Sequence, residues 1–256
     1  MTTSAKKNSL TGTRLEGAET EAAASATINR MFAAVAPRYD FLNHLLSFGF
    51  DRRWRRRTAA RLSATLAHPD ARALDLCAGT GDLALEIARV TPGIVWASDF
   101  CHPMLQLAQA KARRDSRRLQ LLGADTLRLP FAEGTFDVVS AAFGFRNLAN
   151  YRRGLEEMRR VLKPGGVVAI LEFSLPQSGL VREIYRFYFR RILPLLGNWL
   201  SGVQGPYSYL PASVELFPDC DEFAEWMRAA GFVEVCYERW TGGTVALHTG
   251  IRPGGA

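Results

Sequence analysis

Short apolar runs separated by amphipathic stretches dominate the middle of the chain. Runs that are apolar almost throughout are typical of strands buried on both faces of a sheet, and they occur at 71–79, 93–99, 119–125, 136–143 and 167–173. Between them, apolar residues recur at helical spacing over 83–90, 104–114 and 151–162. Strands that alternate with helices predict a Rossmann-like, doubly wound α/β sheet with parallel strands.

The C-terminal part of the chain departs from this alternation. A helix is predicted over 221–230, and two further strands, 232–240 and 244–251, are joined by the turn sequence Thr-Gly-Gly. Such a turn is typical of a hairpin. The expected sheet therefore has seven strands, five parallel ones plus a C-terminal antiparallel hairpin.

The first 25 residues show no comparable pattern. They are rich in Ser, Thr and Ala, include three glutamates, and lack the apolar core of a signal peptide. We predict a disordered tail over 1–25 and a single domain over 26–256. No apolar run approaches the roughly 20 residues that crossing a bilayer requires.

The amino-acid composition indicates the cellular compartment more clearly than it indicates the function. The four widely spaced cysteines form no C-x-x-C pair, which argues against a disulfide framework or a zinc site and fits a reducing cytoplasm. The net charge of +7 suits a nucleic acid, an anionic lipid surface or an anionic cofactor, and it does not choose among them. We predict a cytoplasmic protein without a metal site.

The end of the first predicted strand carries the clearest chemical signal. The stretch LDLCAGTGD (74–82) places Asp75, Gly79 and Gly81 where a strand turns into a helix, and glycines there let the backbone approach a ligand. Asp99 ends the second strand, where a carboxylate can accept hydrogen bonds from both hydroxyls of a ribose. A structural glycine turn is the alternative, but the acid at this spacing favours a nucleoside cofactor.

The loop lacks both the G-x-G-x-x-G pattern and the P-loop pattern. Its D-x-C-x-G-x-G spacing resembles that of the S-adenosylmethionine-dependent methyltransferases. The resemblance implies that the loop, including Thr80, wraps the methionine portion and that Asp99 holds the ribose. In GADTLRLPF (123–131) it implies that Asp125, followed by Thr126, faces the adenine amino group. A solvated loop acid is the alternative for Asp125.

Four further stretches resemble one subfamily: YDFLNHLLSFGFDRRWR (39–55), FGFRNL (143–148), RVLKPGG (160–166) and YSYLPASVELFP (207–218). Together they are similar to the quinol C-methyltransferases of menaquinone and ubiquinone biosynthesis, the UbiE/MenG type. The third stretch is common to many methyltransferases, whereas the other three are more specific. The resemblance covers nearly the whole chain apart from the tail.

Three residues depart from the pattern of this subfamily. Asp51 stands where His is usual, so the role of that histidine is open here. Asp125 stands where Asn is also common, and both side chains can meet an amino group. Ala142, which the resemblance places beside the cofactor, stands where Ser is frequent and removes one hydroxyl contact.

The resemblance implies a reaction, the transfer of a methyl group from S-adenosylmethionine to a ring carbon of a prenylated quinol. It favours demethylmenaquinol as the substrate, with the equivalent step of ubiquinone biosynthesis as the alternative. Loss of a phenolic proton makes the ring carbon nucleophilic, and the enzyme must stabilise the developing phenolate in a dry site. An RNA or other small-molecule methyltransferase is less favoured, because FGFRN lacks the Asn/Asp-Pro-Pro-aromatic turn of enzymes that methylate base amino groups.

Arg146 and Asn147 are the leading catalytic candidates. They follow the fourth strand, at the sheet edge where open α/β folds bind ligands. Arg146 can stabilise an oxyanion, and Asn147 can hydrogen-bond a quinol oxygen; a surface ion pair is the alternative for Arg146. The resemblance adds Tyr39, Asp40 and Asn43 from an N-terminal lid.

The N-terminal lid is expected as helices over 26–66, and its base is open between Asp40 and His44. The lid's apolar residues would exclude water from the reacting centre. The arginine run 52–57 is expected either at the pocket mouth or facing anionic lipid. A solvated helix face is the alternative for the individual arginines.

A second lid is expected over 178–218. Within it, Arg182, Arg186 and Arg190 recur every fourth residue, and another face carries Val181, Ile184, Tyr185, Tyr188, Ile192 and Leu195. Such a helix lies on a membrane or packs as a lid on the sheet, and Pro194 should kink or end it. We expect peripheral membrane contact and no nucleic-acid partner, with a homodimer left open.

Overall fold

The computed structural model describes residues 12–13, 20–188, 191 and 206–254. Within them one sheet contains seven strands: β1 Arg72–Leu76, β2 Ile94–Asp99, β3 Leu119–Gly123, β4 Phe136–Ala142, β5 Leu162–Phe173, β6 Val233–Trp240 and β7 Val245–Ile251. Their spatial order is β3-β2-β1-β4-β5-β7-β6. The first five strands pair in parallel, and β7 runs antiparallel between β5 and β6. The predicted Rossmann-like, doubly wound sheet with a C-terminal antiparallel hairpin is confirmed.

The described helices fall into three groups. Three precede the sheet: α1 Glu21–Val35, α2 Tyr39–Leu46 and α3 Phe50–Leu62. Three connect parallel strands: α4 Asp82–Val90, α5 His102–Arg114 and α6 Tyr151–Val161. Three follow β5: α7 Gly179–Phe187, α8 Pro206–Leu216 and α9 Cys220–Ala229. In the described part of the chain, no helix combines the length and apolar content needed to cross a bilayer.

The continuous apolar strands are explained by a core on both faces of the sheet. Successive side chains of a strand point to opposite faces. Val168 and Ile170 accordingly join one buried cluster, whereas Ala169 and Leu171 join the other. Helices α6 and α9 cover the first face, and α3 and α4 cover the second. Both faces are therefore covered, which explains why strand residues on either side are mostly apolar.

Strand β5 begins earlier than the pattern predicts. The Pro-Gly-Gly stretch ends α6 as expected, but pairing already starts at Leu162 opposite Phe136 instead of at residue 167. The register shifts between Phe136 and Val138, and Gly165 adopts a φ of +79°. Proline and glycine are tolerated at such a bulge, so these residues bend the strand without ending it. Strand β3 ends at Gly123, two residues before the predicted boundary of 125.

The predicted tail over 1–25 is too long. Helix α1 begins at Glu21, because the hydroxyl of Thr20 accepts a hydrogen bond from the backbone N–H of Ala23 and caps a run of good helix formers. Gly12 and Thr13 also lie on the domain, with backbone N–H groups that donate to Ala149 and Leu148. The remainder of residues 1–19 lies outside the described residues.

The second lid is described only in part. Arg190, Ile192, Pro194 and Leu195 lie outside the described residues, as do the side chains of Val181 and Ile184. Arg182 donates through Nε to the carbonyl of Pro176, and Arg186 lies 3.5 Å from the carboxylate of Glu183. Both described arginines of this row therefore have local partners.

Candidate functional site

The carboxyl ends of β1 and β4 meet where the strand order reverses, and this is where open α/β sheets bind ligands. The loop after β1 turns sharply, with Gly79 at a φ of +55° and Gly81 at +81°. A Cβ on Gly81 would approach the Cβ of Ala108 to 3.0 Å, so glycine is needed there for packing as well as for φ. A Cβ on Gly79 would meet nothing nearer than Tyr39, at 4.0 Å. The loop backbone is therefore accessible from the side that faces α2.

A first pocket, the glycine-loop cleft, lies over this loop. Its walls include the predicted residues Asp75, Gly79, Thr80, Asp99, Ala142 and Asn147, together with Phe32, Tyr39, Phe100 and Met104. The Asp99 carboxylate is buried and accepts hydrogen bonds from the backbone N–H groups of Gly79 and Cys101, both at 2.8 Å. Burial raises the pKa of Asp99, and these backbone donors oppose the shift. A rigid carboxylate beside an accessible glycine loop and aromatic walls fits a nucleoside cofactor.

Asp75 is the most buried acid of the cleft. Its carboxylate accepts a hydrogen bond from the Ser140 hydroxyl at 2.7 Å. Burial raises the pKa of Asp75 to about 7, although this hydrogen bond and the nearby Arg55 act in the opposite direction. The charge of Asp75 is therefore expected to change near neutral pH.

Three predicted cofactor residues do not line the cleft: Gly81, Asp125 and Thr126. Asp125 is exposed, and its carboxylate accepts a hydrogen bond from the backbone N–H of Leu127 in a local turn. Thr126 is buried beneath the loop, 3.5 Å from the sulfur of Cys77. Neither side chain lines the cleft, so their contact with an adenine stays a prediction.

A second pocket, the lid cavity, adjoins the cleft and shares Phe32, Tyr39, Arg55 and Phe143 with it. Its volume is about 260 Å³, and most of its wall consists of aromatic and aliphatic side chains from α1, α2, α3, α7, α8 and the adjoining loops and strand ends. Asn43 and Arg146, two of the predicted substrate residues, also line it. The charged side chains in its described wall are Asp51, Arg55 and Arg146. An apolar cavity with two cationic groups suits a hydrophobic ligand with polar oxygens.

Arg146 is held in this wall by a buried ion pair. Its Nη1 lies 2.9 Å from Oε2 of Glu172, and its backbone N–H donates to Oε1 of the same carboxylate at 3.0 Å. Nη1 also donates to the carbonyl of Phe143, and Nε donates to the hydroxyl of Ser213 at 3.3 Å. Burial lowers the pKa of Arg146, but Glu172 outweighs it and the net shift is upward. The guanidinium is a permanent, fixed cation, and a surface ion pair is excluded.

Asn147 lines the cleft and contacts Tyr209, which lines the lid cavity. Its Oδ1 accepts a hydrogen bond from the Tyr209 hydroxyl at 3.0 Å, and that hydroxyl is also 2.8 Å from the hydroxyl of Thr13. With the amide oxygen engaged in this way, the amide nitrogen remains a donor for a ligand. Tyr39 lines both pockets, and burial raises the pKa of its hydroxyl despite the opposing effect of Arg55 and Arg146.

The arginine run divides into one buried residue and an exposed face. Arg55 is buried, whereas Arg52, Arg53, Arg56 and Arg57 are exposed. Arg55 donates through Nη1 to Asp51 at 2.5 Å and lies 3.8 Å from Asp82. Asp51 also accepts a hydrogen bond from the Ser47 hydroxyl and lies 2.7 Å from Nδ1 of His44. At the position where the subfamily usually has His, Asp51 thus ties α2 to α3.

Asp40, one candidate base, lies outside the described walls of both pockets. Its carboxylate accepts a hydrogen bond from the Thr80 hydroxyl at 2.5 Å and pairs with Lys111 at 2.6 Å. Lys111 in turn pairs with Asp82. In this position Asp40 fastens the lid helix α2 to the glycine loop, and its role as a base stays a prediction.

Sequence reasoning missed two residues that hold the site in place, Glu172 and Tyr209. It also did not single out Arg55 within the arginine run. Glu172 had a signal, since a carboxylate inside the apolar run of β5 is costly to bury without a partner. Tyr209 is distant in the chain from Asn147, and nothing in its local pattern indicates their contact.

The chain is similar to known proteins over most of its length. The model of the family described as "ubiE/COQ5 methyltransferase family" matches residues 20–252. A relative from Thermus thermophilus named demethylmenaquinone methyltransferase is 50% identical over 87% of this chain and 100% of its own length. A relative from Geobacter sulfurreducens, named ubiquinone/menaquinone biosynthesis C-methyltransferase UbiE, is 45% identical over 87% of both chains.

Solved structures share the fold at low sequence identity. The [4+2]-cyclase SpnF superposes with a TM-score of 0.64 at 18% identity, covering 89% of this chain and 96% of that one. A SAM-dependent methyltransferase from Aquifex aeolicus gives a TM-score of 0.54 at 19% identity, covering 76% of this chain and 88% of that one. The same fold thus supports different reactions, and the sequence relatives carry the assignment. The chain belongs to the ubiE/COQ5 methyltransferase family.

Proposed function

We propose that this protein transfers a methyl group to a ring carbon of a demethylated, prenylated quinol, and that its substrate is demethylmenaquinol. The observation that carries the proposal is the lid cavity. This mostly apolar space shares a wall with the glycine-loop cleft and is lined by the fixed guanidinium groups of Arg55 and Arg146. A hydrophobic ring with ionisable oxygens complements such a space. The names of the Thermus and Geobacter relatives support a menaquinone precursor, with the ubiquinone precursor as the alternative.

S-adenosylmethionine is the methyl donor, as the sequence predicted. When bound, it supplies an electrophilic methyl group on a sulfonium centre. Asp99 would hold the ribose, the loop at Gly79 and Thr80 would follow the methionine portion, and Phe100 and Met104 offer apolar walls for the adenine. Asn147 lines the cleft, and its amide nitrogen can donate to a ligand there.

The residues of the lid cavity would prepare the ring carbon for attack. A quinol carbon is weakly nucleophilic until a phenolic proton is lost, and a cation next to that oxygen lowers the pKa of the phenol. Arg146 provides such a cation without reorganisation, because Glu172 and the carbonyl of Phe143 already fix its position. The aromatic lid keeps water from the site, which strengthens this electrostatic interaction.

The membrane is proposed as the source of the prenylated substrate. Three exposed phenylalanines support this: Phe41 on α2, Phe48 in the turn between α2 and α3, and Phe187 at the end of α7. Phe48 is 77% exposed, and the neighbouring Phe50 also lines the lid cavity. Arg52, Arg53 and Arg56 follow Phe48 in the chain and lie on α3; they are exposed and form no ion pair among the described residues. An apolar rim with unpaired cations suits a peripheral contact with anionic lipid.

Vesicle sedimentation tests the membrane proposal. Changing Arg52 and Arg53 to Glu should reduce binding to anionic vesicles and impair methylation of a vesicle-embedded quinol, while a short-tailed quinol is still methylated. The matched control changes Arg113 and Arg114, which are exposed at the other end of the sheet near the start of β3, by the same charge. Equal effects of the two pairs would show a non-specific charge effect and refute the proposed face. The cytoplasmic location and the homodimer stay predictions.

The function itself is tested with labelled S-adenosylmethionine and a panel of short-tailed quinols, phenols and RNA. We expect label in the quinol, attached to a ring carbon, with the menaquinone-type ring preferred over the ubiquinone-type ring. Preferential labelling of RNA or of a simple phenol would contradict the proposal.

A further inference from the structure

Two buried arginines line the same cavity, and each is paired with a buried carboxylate; Arg55 also lies near a second carboxylate, that of Asp82. Arg146 pairs with Glu172 at 2.9 Å, and Arg55 pairs with Asp51 at 2.5 Å. Arg146 comes from the sheet edge after β4, whereas Arg55 comes from α3. The two guanidiniums therefore approach the cavity from different elements, and each has a counter-ion that keeps it charged.

The aromatic floor of the cavity relates the two arginines in space. Arg55 lies over the ring of Phe143 at 5.3 Å, and Arg146 lies over the ring of Phe173 at 5.3 Å. The centroids of these two rings are 4.7 Å apart. Each guanidinium thus lies over one of two adjacent rings. Both also act on the pKa of the Tyr39 hydroxyl in the same direction, which places this hydroxyl near each of them.

Each guanidinium keeps donor capacity for a ligand. Among the described residues, Arg55 makes hydrogen bonds through Nη1, and Arg146 makes them through Nη1 and Nε. A guanidinium has five N–H donors, so Nη2 of both residues is left to bind a ligand oxygen. Burial lowers the pKa of Arg55, but Asp82 and Asp51 raise it by more than that. Arg55 therefore stays cationic at any working pH.

A quinol has two oxygens on opposite sides of its ring. We propose that Arg55 is a second substrate-binding residue, which donates to the ring oxygen across from the one that faces Arg146. This assignment rests on the proposed function and makes it more specific. Arg146 would stabilise the oxygen next to the reacting carbon, and Arg55 would select rings that carry the second oxygen. The two buried arginines together distinguish a quinol from a simple phenol.

Calorimetry without cofactor tests this assignment, because no methyl transfer then disturbs the binding. The probes are 1,4-naphthalenediol under reducing conditions and 1-naphthol, which lacks the second oxygen. Arg55→Gln should weaken binding of the diol about 10- to 100-fold, the range for losing a charged hydrogen bond, and should leave 1-naphthol nearly unchanged. Arg146→Gln should weaken both ligands, because both carry the first oxygen. Arg53→Gln, an exposed change on the same helix, should affect neither.

Several results would overturn the assignment. Equal weakening of both ligands by Arg55→Gln would show that the residue only supports the cavity, and a larger loss of S-adenosylmethionine affinity than of diol affinity would assign it to the cofactor. If Arg55→Gln does not fold, Arg55→Lys gives the same comparison, since it keeps the charge and loses the guanidinium geometry. A wild-type enzyme that binds the diol but transfers no methyl to any quinol would refute the proposed function separately from the Arg55 assignment.

Discussion

The glycine-loop cleft and the lid cavity share a wall but are built in different ways. The cleft consists largely of residues at or just after the ends of strands. Examples are Gly79 after β1, Asp99 at the end of β2 and Ala142 at the end of β4. The cavity gathers side chains from both lids, from the sheet edge and from the turn between β6 and β7, including Thr241. The first arrangement follows from the topology of the sheet, whereas the second depends on contacts between distant segments.

The electrostatics of the two pockets differ as well. The cleft contains Asp75, whose pKa burial raises to about 7. The pKa values of the charged cavity groups are shifted away from neutral pH. Ion pairing raises the pKa of Arg55 and Arg146 by more than burial lowers it, and the pairing with Arg55 lowers the pKa of Asp51. We infer that the cavity keeps constant charges for catalysis, and that pH acts on cofactor binding through the cleft.

The largest expected effect concerns the cavity. Arg146→Ala should lower kcat by about 100-fold or more, as for loss of one fixed oxyanion-stabilising donor, with little change in cofactor affinity. The variant leaves Glu172 buried without its partner, so thermal unfolding must be measured in parallel. Arg146→Met combined with Glu172→Gln removes the unpaired charge. Near-normal turnover in either folded variant would separate Arg146 from the chemistry.

A smaller effect is expected in the cleft. Asp99→Ala should weaken S-adenosylmethionine binding by about 1.5–3 kcal/mol, the scale for charged hydrogen bonds, and should lower turnover mainly through this affinity. Calorimetry on the folded variant measures it directly. The control Asp70→Ala removes an exposed acid at the opposite edge of the sheet, before β1. If Asp99→Ala binds as tightly as this control, the cleft is not the ribose site.

Most of the cleft could be predicted from the sequence, and little of the cavity could. Gly79, Gly81 and Asp99 stand out because strand-end loops have local constraints on φ and on charge. Arg146 was found by its place after β4, but its partner Glu172 lies on the next strand of the sheet. The helical pattern of 52–57 could not show that Arg55 is the buried member of the run, since burial depends on how α3 packs against the sheet.

The fold shows the same division. The strands and connecting helices were predicted nearly in full, because buried parallel strands have distinctive continuous apolar runs. The start of β5 was missed because Pro164 and Gly165 usually interrupt a strand, and only the pairing with its neighbour shows a bulge. The start of α1 was missed because a Ser- and Ala-rich segment has a weak apolar pattern, although Thr20 caps it.

The smallest effect sharpens the contrast in pH behaviour. Between pH 6 and 8, affinity for the cationic cofactor should rise with pH, by at most about tenfold over the whole range, because ionised Asp75 attracts the positive charge. Stability should change in the opposite direction. Burial raises the pKa of Asp75 in the folded state. The contribution of this residue to the free energy of unfolding is therefore fully present below the usual carboxyl range, and it is lost as the pH rises through about 7.

Asp75→Asn should flatten both pH profiles, as followed by calorimetry and thermal unfolding. Persistence of either slope in that variant would move the titration to another group. Arg146→Gln serves as the control on the cavity side, since its removal should leave the pH dependence of cofactor affinity unchanged.

The central claim, ring methylation in the lid cavity, is tested most directly by the redox state of the substrate. One short-tailed demethylated compound should be supplied either as the quinol or as the quinone, with labelled S-adenosylmethionine, and the product should be identified by mass spectrometry and NMR. We predict a methyl group on a ring carbon of the quinol and no methylation of the quinone, which has no phenolic proton to lose. Methylation of an oxygen, or equal methylation of both forms, would contradict the account.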